Sequence, residues 1–241
     1  MTILKTLGAS LLLILCTSCI NAQWGTVRGN GDVTTESRSV GEFDIISVGG
    51  PYHVLLVPGT EGQIEITTDS NLLEKIVTEV DGDKLKIRTE KNTNIKTSSG
   101  AIRVKVFYRD IEGAAMAGSG KIRATEPIKS EEFSVKIAGS GDIELELYNQ
   151  ITEAVVTGSG DAKLSGKANR FEGKVTGSGD IMASELEATV AEGKITGSGD
   201  IKMYGTESIS GHIVGSGDIR YRGNVDKVNT KVVGSGSVRR L

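Results

Sequence analysis

Cysteine is almost missing from this 241-residue chain. Cys16 and Cys19 are its only two, and both lie in the leading segment, so the body of the protein has no disulfide framework and no thiolate metal site. Proline occurs 3 times and histidine twice, which leaves little material for His-based catalysis or His metal clusters. Aromatic residues make up 4% of the chain. A formal charge of −3 gives no electrostatic reason to bind nucleic acid. Beyond the leader no run of apolar residues has the length of a transmembrane helix. Glycine is abundant instead, with 32 residues, but no Gly-X-Y period exists, which excludes a collagenous chain. With 37% apolar and 24% charged residues, the sequence can bury a core and is not a disordered tail.

Residues 1–22, MTILKTLGASLLLILCTSCINA, carry Lys5 as their one charge and an apolar run from Leu7 to Cys16. That layout predicts a secretory signal peptide, since the run is too short to span a bilayer comfortably. Two ends fit it. Ile20-Asn21-Ala22 before Gln23 offers the small residue that an ordinary signal peptidase cuts after. Thr17-Ser18-Cys19 instead resembles a bacterial lipobox, with Cys19 as the lipidated first residue and Cys16 standing where that motif wants leucine. On either route the mature chain keeps at most one cysteine, and the protein is expected to be exported, to the periplasm or the outer-membrane and cell surface.

The dominant signal is an internal repeat. Gly-Ser-Gly begins at Gly118, Gly139, Gly158, Gly177, Gly197, Gly215 and Gly234, a spacing of 18 to 21 residues. Five copies continue with an aspartate: Asp142, Asp161, Asp180, Asp200 and Asp218. The first has Lys121 and the last Ser237, as terminal repeats often depart from the pattern. Two residues after each triplet stand Ile122, Ile143, Ala162, Ile181, Ile201, Ile219 and Val238; two before it stand Met116, Ile137, Val156, Val175, Ile195, Ile213 and Val232. Their neighbours are mostly charged or polar, so the alternation has period two and predicts strands with one face in. Each unit reads as a strand, a Gly-Ser-Gly corner, a second strand and a looser return of about eight to ten residues.

A unit this short cannot bury its own apolar face, whereas stacked units can, with inter-coil hydrogen bonds about 4.8 Å apart. Glycine suits a corner that needs positive φ or close backbone approach. The Leu-x-x-Leu-x-Leu frame of leucine-rich repeats is absent, and a propeller blade needs units about twice as long. Residues 113–241 therefore predict a β-solenoid of about seven 18–21-residue coils, in an all-β chain.

Residues 23–112 predict an N-terminal β lobe, continuous with the solenoid or packed on its end. Alternation marks strands within Phe43–Val48, His53–Val57, Gln63–Thr67, Lys84–Arg88 and Ile102–Phe107. Asp81-Gly82 signals a hairpin turn, Asn71–Glu79 a short helical turn, and residues 91–100 a polar loop. Gly29-Asn30-Gly31-Asp32 is a cousin of the triplet.

These features resemble the putative auto-transporter adhesin, head GIN domain family of exported bacterial proteins, common in Bacteroidetes. The likeness rests on Gly29-Asn30-Gly31, on Arg38-x4-Phe43 leading into Ile45-x-Ser47-Val48, on Asn71-Leu72-Leu73, on Leu85-x-Ile87 and on the Gly-Ser-Gly series. It implies a right-handed parallel β-helix in the cell envelope or at the cell surface, and it brings no catalytic residues with it.

Three functions are weighed on these residues. The favoured one is a non-catalytic, adhesin-like envelope module with no cofactor, whose long regular faces suit an extended envelope or extracellular polymer or protein. Tyr148, Tyr204, Tyr221 and Phe171 fall at different repeat positions, so no aromatic stripe marks a sugar groove. The second is calcium binding by the aspartate column, Asp142, Asp161, Asp180, Asp200 and Asp218, where neighbouring carboxylates one rung apart repel unless each accepts a backbone N–H at its turn. The third is a carbohydrate-active enzyme. A glycosidase needs two carboxylates flanking a cleft, and here the acids are spread evenly; His53 and His212 lie in different halves, and no nucleophile-elbow, zincin or phosphate-loop motif occurs.

Overall fold

The computed structural model describes residues 25–241, so the export-signal reading of residues 1–22 and Cys19 lies outside the described residues. Among the described residues the regular secondary structure is all strand apart from one 3-10 helix, Ser70–Lys75. Its central coils are single bent strands: Asp142–Gly158, Ala162–Gly177, Ile181–Gly197 and Ile201–Gly215 each run from one Gly-Ser-Gly corner to the next. The expected loose return is therefore largely absent in these coils; the chain stays paired with its neighbours round most of each turn, with breaks at Lys163/Ser165, Ala183/Glu187 and Ala188/Val190.

Two parallel stacks result, one upstream and one downstream of the corners. Upstream, Met116, Ile137, Val156, Val175, Ile195, Ile213 and Val232 stand in register. Downstream, Ile122, Ile143, Ala162, Ile181, Ile201, Ile219 and Val238 do the same. All but Val232 and Val238 are buried. Each such side chain contributes about 1.5–3 kcal/mol over leaving it in water. On the last rung Val232 is 39% exposed and Val228 is also open, because among the described residues no rung lies beyond it.

The two corner glycines do different work. The first of each triplet has left-handed backbone, from φ +115° at Gly158 to +136° at Gly215, which only glycine adopts cheaply. The third has no positive φ but lies against the coil beneath: a Cβ on Gly179 would sit 2.2 Å from the carbonyl oxygen of Gly160, and one on Gly199 1.9 Å from that of Gly179. The serine between them contributes its backbone N–H. Ser159 and Gly160 both donate to the Gly139 carbonyl, at 2.8 and 2.9 Å, and Ser178 and Gly179 repeat the pair on Gly158.

The stack continues below the repeats. Ile45–Gly49 pairs with Gly113–Gly118 on one side and Lys84–Thr89 on the other, and Tyr52–Pro58 likewise joins Lys121–Ala124 to Ile102–Tyr108. The corner of this rung is Gly50-Pro51-Tyr52, with Gly50 at φ +136° and a Cβ on Gly120 falling 2.2 Å from the Tyr52 carbonyl oxygen. The pattern was hidden because proline and tyrosine replace serine and glycine. The parallel order ends in antiparallel strands: Ile76–Asp81 folds back on Lys84–Thr89 through the Asp81-Gly82 turn, and Gln63–Asp69 covers Ile102–Tyr108 with Val33–Ser39 outside it. Within the expected polar loop 91–100, Thr93–Lys96 pairs with Gly25–Arg28.

Gly29-Asn30-Gly31 is not a solenoid corner. It wraps the fully buried carboxylate of Asp69, which accepts from the Gly31 N–H (2.8 Å), the Thr97 hydroxyl (2.6 Å), the Ser98 N–H (3.1 Å) and the Ser98 hydroxyl. A Cβ on Gly29 would overlap that carboxylate. Nearby Arg38 donates to the Leu73 and Ile76 carbonyls at the end of the 3-10 helix (2.8 and 2.6 Å). The Ser98 hydroxyl first, then that of Thr97, holds the Asp69 carboxyl far below the ordinary carboxylate range.

Two outcomes follow from this packing. Gly179→Ala is expected to lose about 1–3 kcal/mol or more, as overpacking against fixed backbone does, while Gly25→Ala, with open space around it, stays within about 0.5 kcal/mol; denaturant melts compare them. Because the Asp69 pKa is depressed by folding, its contribution to stability is whole above the unfolded value of about 3.9 and is lost as pH falls below it. An acid titration followed by circular dichroism should show destabilisation beginning near that pH, with a shallower pH slope in Asp69→Asn.

Candidate functional site

The aspartate column lies at the first position after each corner. Its carboxylates are tied into a ladder. Asp161 Oδ1 accepts the Asp180 N–H (3.0 Å), Asp180 Oδ1 that of Asp200 (2.8 Å), Asp200 Oδ1 that of Asp218 (2.8 Å) and Asp218 Oδ1 that of Ser237 (2.9 Å). The expected N–H donor thus exists, supplied by the next coil rather than by the residue's own turn. Arg220 bridges the second oxygens of Asp200 and Asp218 (3.0 and 2.9 Å), and Arg239 reaches Asp218 (3.3 Å). The Ser237 hydroxyl (2.9 Å) is the first of several contacts that hold the Asp218 carboxyl below its ordinary pKa. Asp142, at the lower end, faces Lys121 at 3.9 Å. The structure brings these five residues into one row, yet among the described residues no group of three or more His, Cys, Asp or Glu side chains is gathered as a metal would need.

The histidines stay apart. His53 is exposed in a row with Lys121 and Arg103, and His212 stands between Lys194 and Lys231. Neither row gives its imidazole a carboxylate partner.

A groove that sequence reasoning missed runs along the third side of the solenoid, where the long strands bend between their downstream and upstream halves. It has a volume of about 320 Å³ and crosses successive rungs from Ser130 to Thr206. One wall carries Tyr148, Lys167 and Glu187, successive members of a row that continues beyond the groove to Tyr204 and Arg222. The other wall carries Gln150, whose side-chain oxygen accepts from the Asn169 amide, together with Thr189. The floor is Asn149 and Ala168; the Asn149 amide is anchored on the Ser130 hydroxyl (2.6 Å) and accepts from Thr152 (3.3 Å).

Tyr148 and Tyr204 therefore share a row, which corrects the expectation that the tyrosines occupy unrelated positions. Counted from the preceding corner they differ in offset, but the register slips between Ala183 and Glu187 and brings Tyr204 opposite Glu187. A further slip falls between Lys163 and Ser165. Irregularities of this kind re-aim side chains and gather at functional surfaces. Phe171, by contrast, is buried in the core, and Tyr221 aligns with the inward Met203.

The groove is close to electrically neutral. Lys167 and Glu187 lie on adjacent rungs with Nζ and Oε1 3.9 Å apart. Tyr148, 39% exposed, donates its hydroxyl to Glu146 (3.0 Å), a bond that raises the phenol above its ordinary pKa. The surface thus offers an aromatic face, paired amides and hydroxyls in a line. Amides and hydroxyls of this kind can both donate to and accept from a ligand.

Residues 42–225 match the family described as putative auto-transporter adhesin, head GIN domain, and the chain belongs to that family, whose name implies export. No curated protein matches it. Among solved structures it is similar to a putative adhesin from Bacteroides fragilis, with 22% identity and a TM-score of 0.83 over 89% of this chain and all of that one. A putative adhesin from Parabacteroides merdae shares 24% identity over 90% of this chain and 99% of its own, with a TM-score of 0.72. A putative lipid binding protein from Parabacteroides distasonis shares 26% identity over 90% of this chain and all of that one, with a TM-score of 0.76.

Because the ladder's Oδ1 atoms already accept backbone donors, EDTA should leave the melting temperature unchanged. A drop of several degrees, restored by added calcium, would return the aspartate row to metal binding.

Proposed function

We propose that this member of the family is an exported, non-catalytic interaction module of the cell envelope, which lays one side of its solenoid against an extended polymer. The observation that carries this reading is the groove itself, open along the solenoid and crossing several rungs. A site for a compact substrate would be a closed cleft with convergent titratable groups; this one is open and crosses several rungs. Export is assigned to residues 1–22, with anchoring through Cys19 as one processing outcome, in the periplasm or at the outer-membrane or cell surface. Nucleic acid is disfavoured by the acidic balance of the chain. The lipid-binding role in the name of the P. distasonis protein calls for an apolar cavity or face, whereas the groove here is lined by amides, hydroxyls and charges.

The purified mature protein, passed over immobilised envelope polysaccharides, mucin and extracellular-matrix proteins, should be retained saturably by at least one of them, with no release of reducing ends or peptides. Retention by none, or continuous release of reducing ends, overturns the reading.

A further inference from the structure

Resting on that interaction-module reading, we propose that the groove on the third side of the solenoid is a binding site for an uncharged polysaccharide chain, stacked on Tyr148 and hydrogen-bonded by Gln150 and Asn169.

The chemistry of the ligand follows from the lining. Primary amides both donate and accept, which suits hydroxyl groups that also do both, and Gln150 and Asn169 are already oriented by their mutual hydrogen bond. The lining crosses four rung spacings from Ser130 to Thr206, about 19 Å at the spacing of paired strands. That distance is spanned by a short oligosaccharide, whose C–H face can meet the Tyr148 ring. Tyr148 has the exposure for such stacking, and its hydroxyl is already engaged by Glu146, which fixes the ring. A half-exposed ring that moves little loses little entropy when it is covered.

The same features disfavour other polymers. Lys167 and Glu187 offset each other, so the groove gives a polyanion or polycation no net attraction. An extended peptide gains most of its affinity by adding a strand to an unpaired sheet edge, but the backbone here is already paired rung to rung. The register slips beside the groove, between Ala183 and Glu187 and between Ala188 and Val190, have no counterpart at the Gly-Ser-Gly corners, where the coils remain aligned from one to the next.

The test is calorimetric titration of the mature protein with uncharged oligosaccharides of graded length, drawn from glucan, mannan, xylan and galactan series. At least one series should bind, with affinity rising until the chain spans the groove. Tyr148→Ala and the double variant Gln150→Ala/Asn169→Ala should each weaken binding about tenfold. Tyr148→Phe should retain most of it, and Thr176→Ala on the upstream face should change nothing; thermal melts verify that each variant is folded. Failure of every uncharged series at millimolar concentration overturns the proposal. So does binding that groove variants leave unchanged, or retention only of charged polymers with steep salt dependence. If the immobilised-polymer experiment still shows retention in any of these cases, the interaction-module reading survives and the groove assignment alone falls.

Discussion

Close approach of backbone to backbone at one corner sets the geometry of this protein. The third glycine of each triplet lies where a Cβ would overlap the carbonyl oxygen of the coil beneath, at 1.9 to 2.2 Å for Gly160, Gly179, Gly199, Gly217 and Gly236. The first glycine turns the chain through left-handed backbone. With both requirements met, one carbonyl accepts two N–H donors from the next coil, and successive corners lie directly over one another. The aliphatic rows follow: once the corners are aligned, period-two alternation brings Ile over Ile and Val over Val on both sides of each corner.

Stacking also places like charges above like. The aspartate row would be a liability if its carboxylates faced each other unpaired. Hydrogen bonds from each following backbone N–H to the Asp oxygen below, from Asp161 upward, turn the row into a ladder, and Arg220 and Arg239 neutralise its upper end. Glu144 shows the same logic on the outer face. Lys163 from the rung above and Arg123 from the rung below converge on it and lower its pKa, the Lys163 bond being the first cause. From Asp161 to Asp218 repetition is tolerated because each Oδ1 accepts an N–H from the next coil.

The groove lies where repetition breaks. The coils keep their register around the corners, while the bend between them carries the slips beside Glu187 and Thr189, Tyr148 and the amide pair. The lower end breaks the pattern too, with antiparallel strands and the buried Asp69 knot closing off the stack. The first break aims side chains outward; the second ends an open sheet edge, which otherwise invites pairing with another chain.

The triplet spacing and the alternation around it were enough to determine the all-β solenoid, its inward residues such as Ile143, Ile181 and Val175, and the Asp81-Gly82 hairpin. These are local signals, because corner chemistry and strand period are written within a few residues. The Gly50-Pro51-Tyr52 corner, the role of Gly29-Asn30-Gly31 around Asp69, and the shared row of Tyr148 and Tyr204 were decided by tertiary structure alone. Asp69 meets Gly31 and Ser98 only after distant segments converge. Tyr204 joins the row of Tyr148 only because the coils slip in register, and residue counting presumes that they do not.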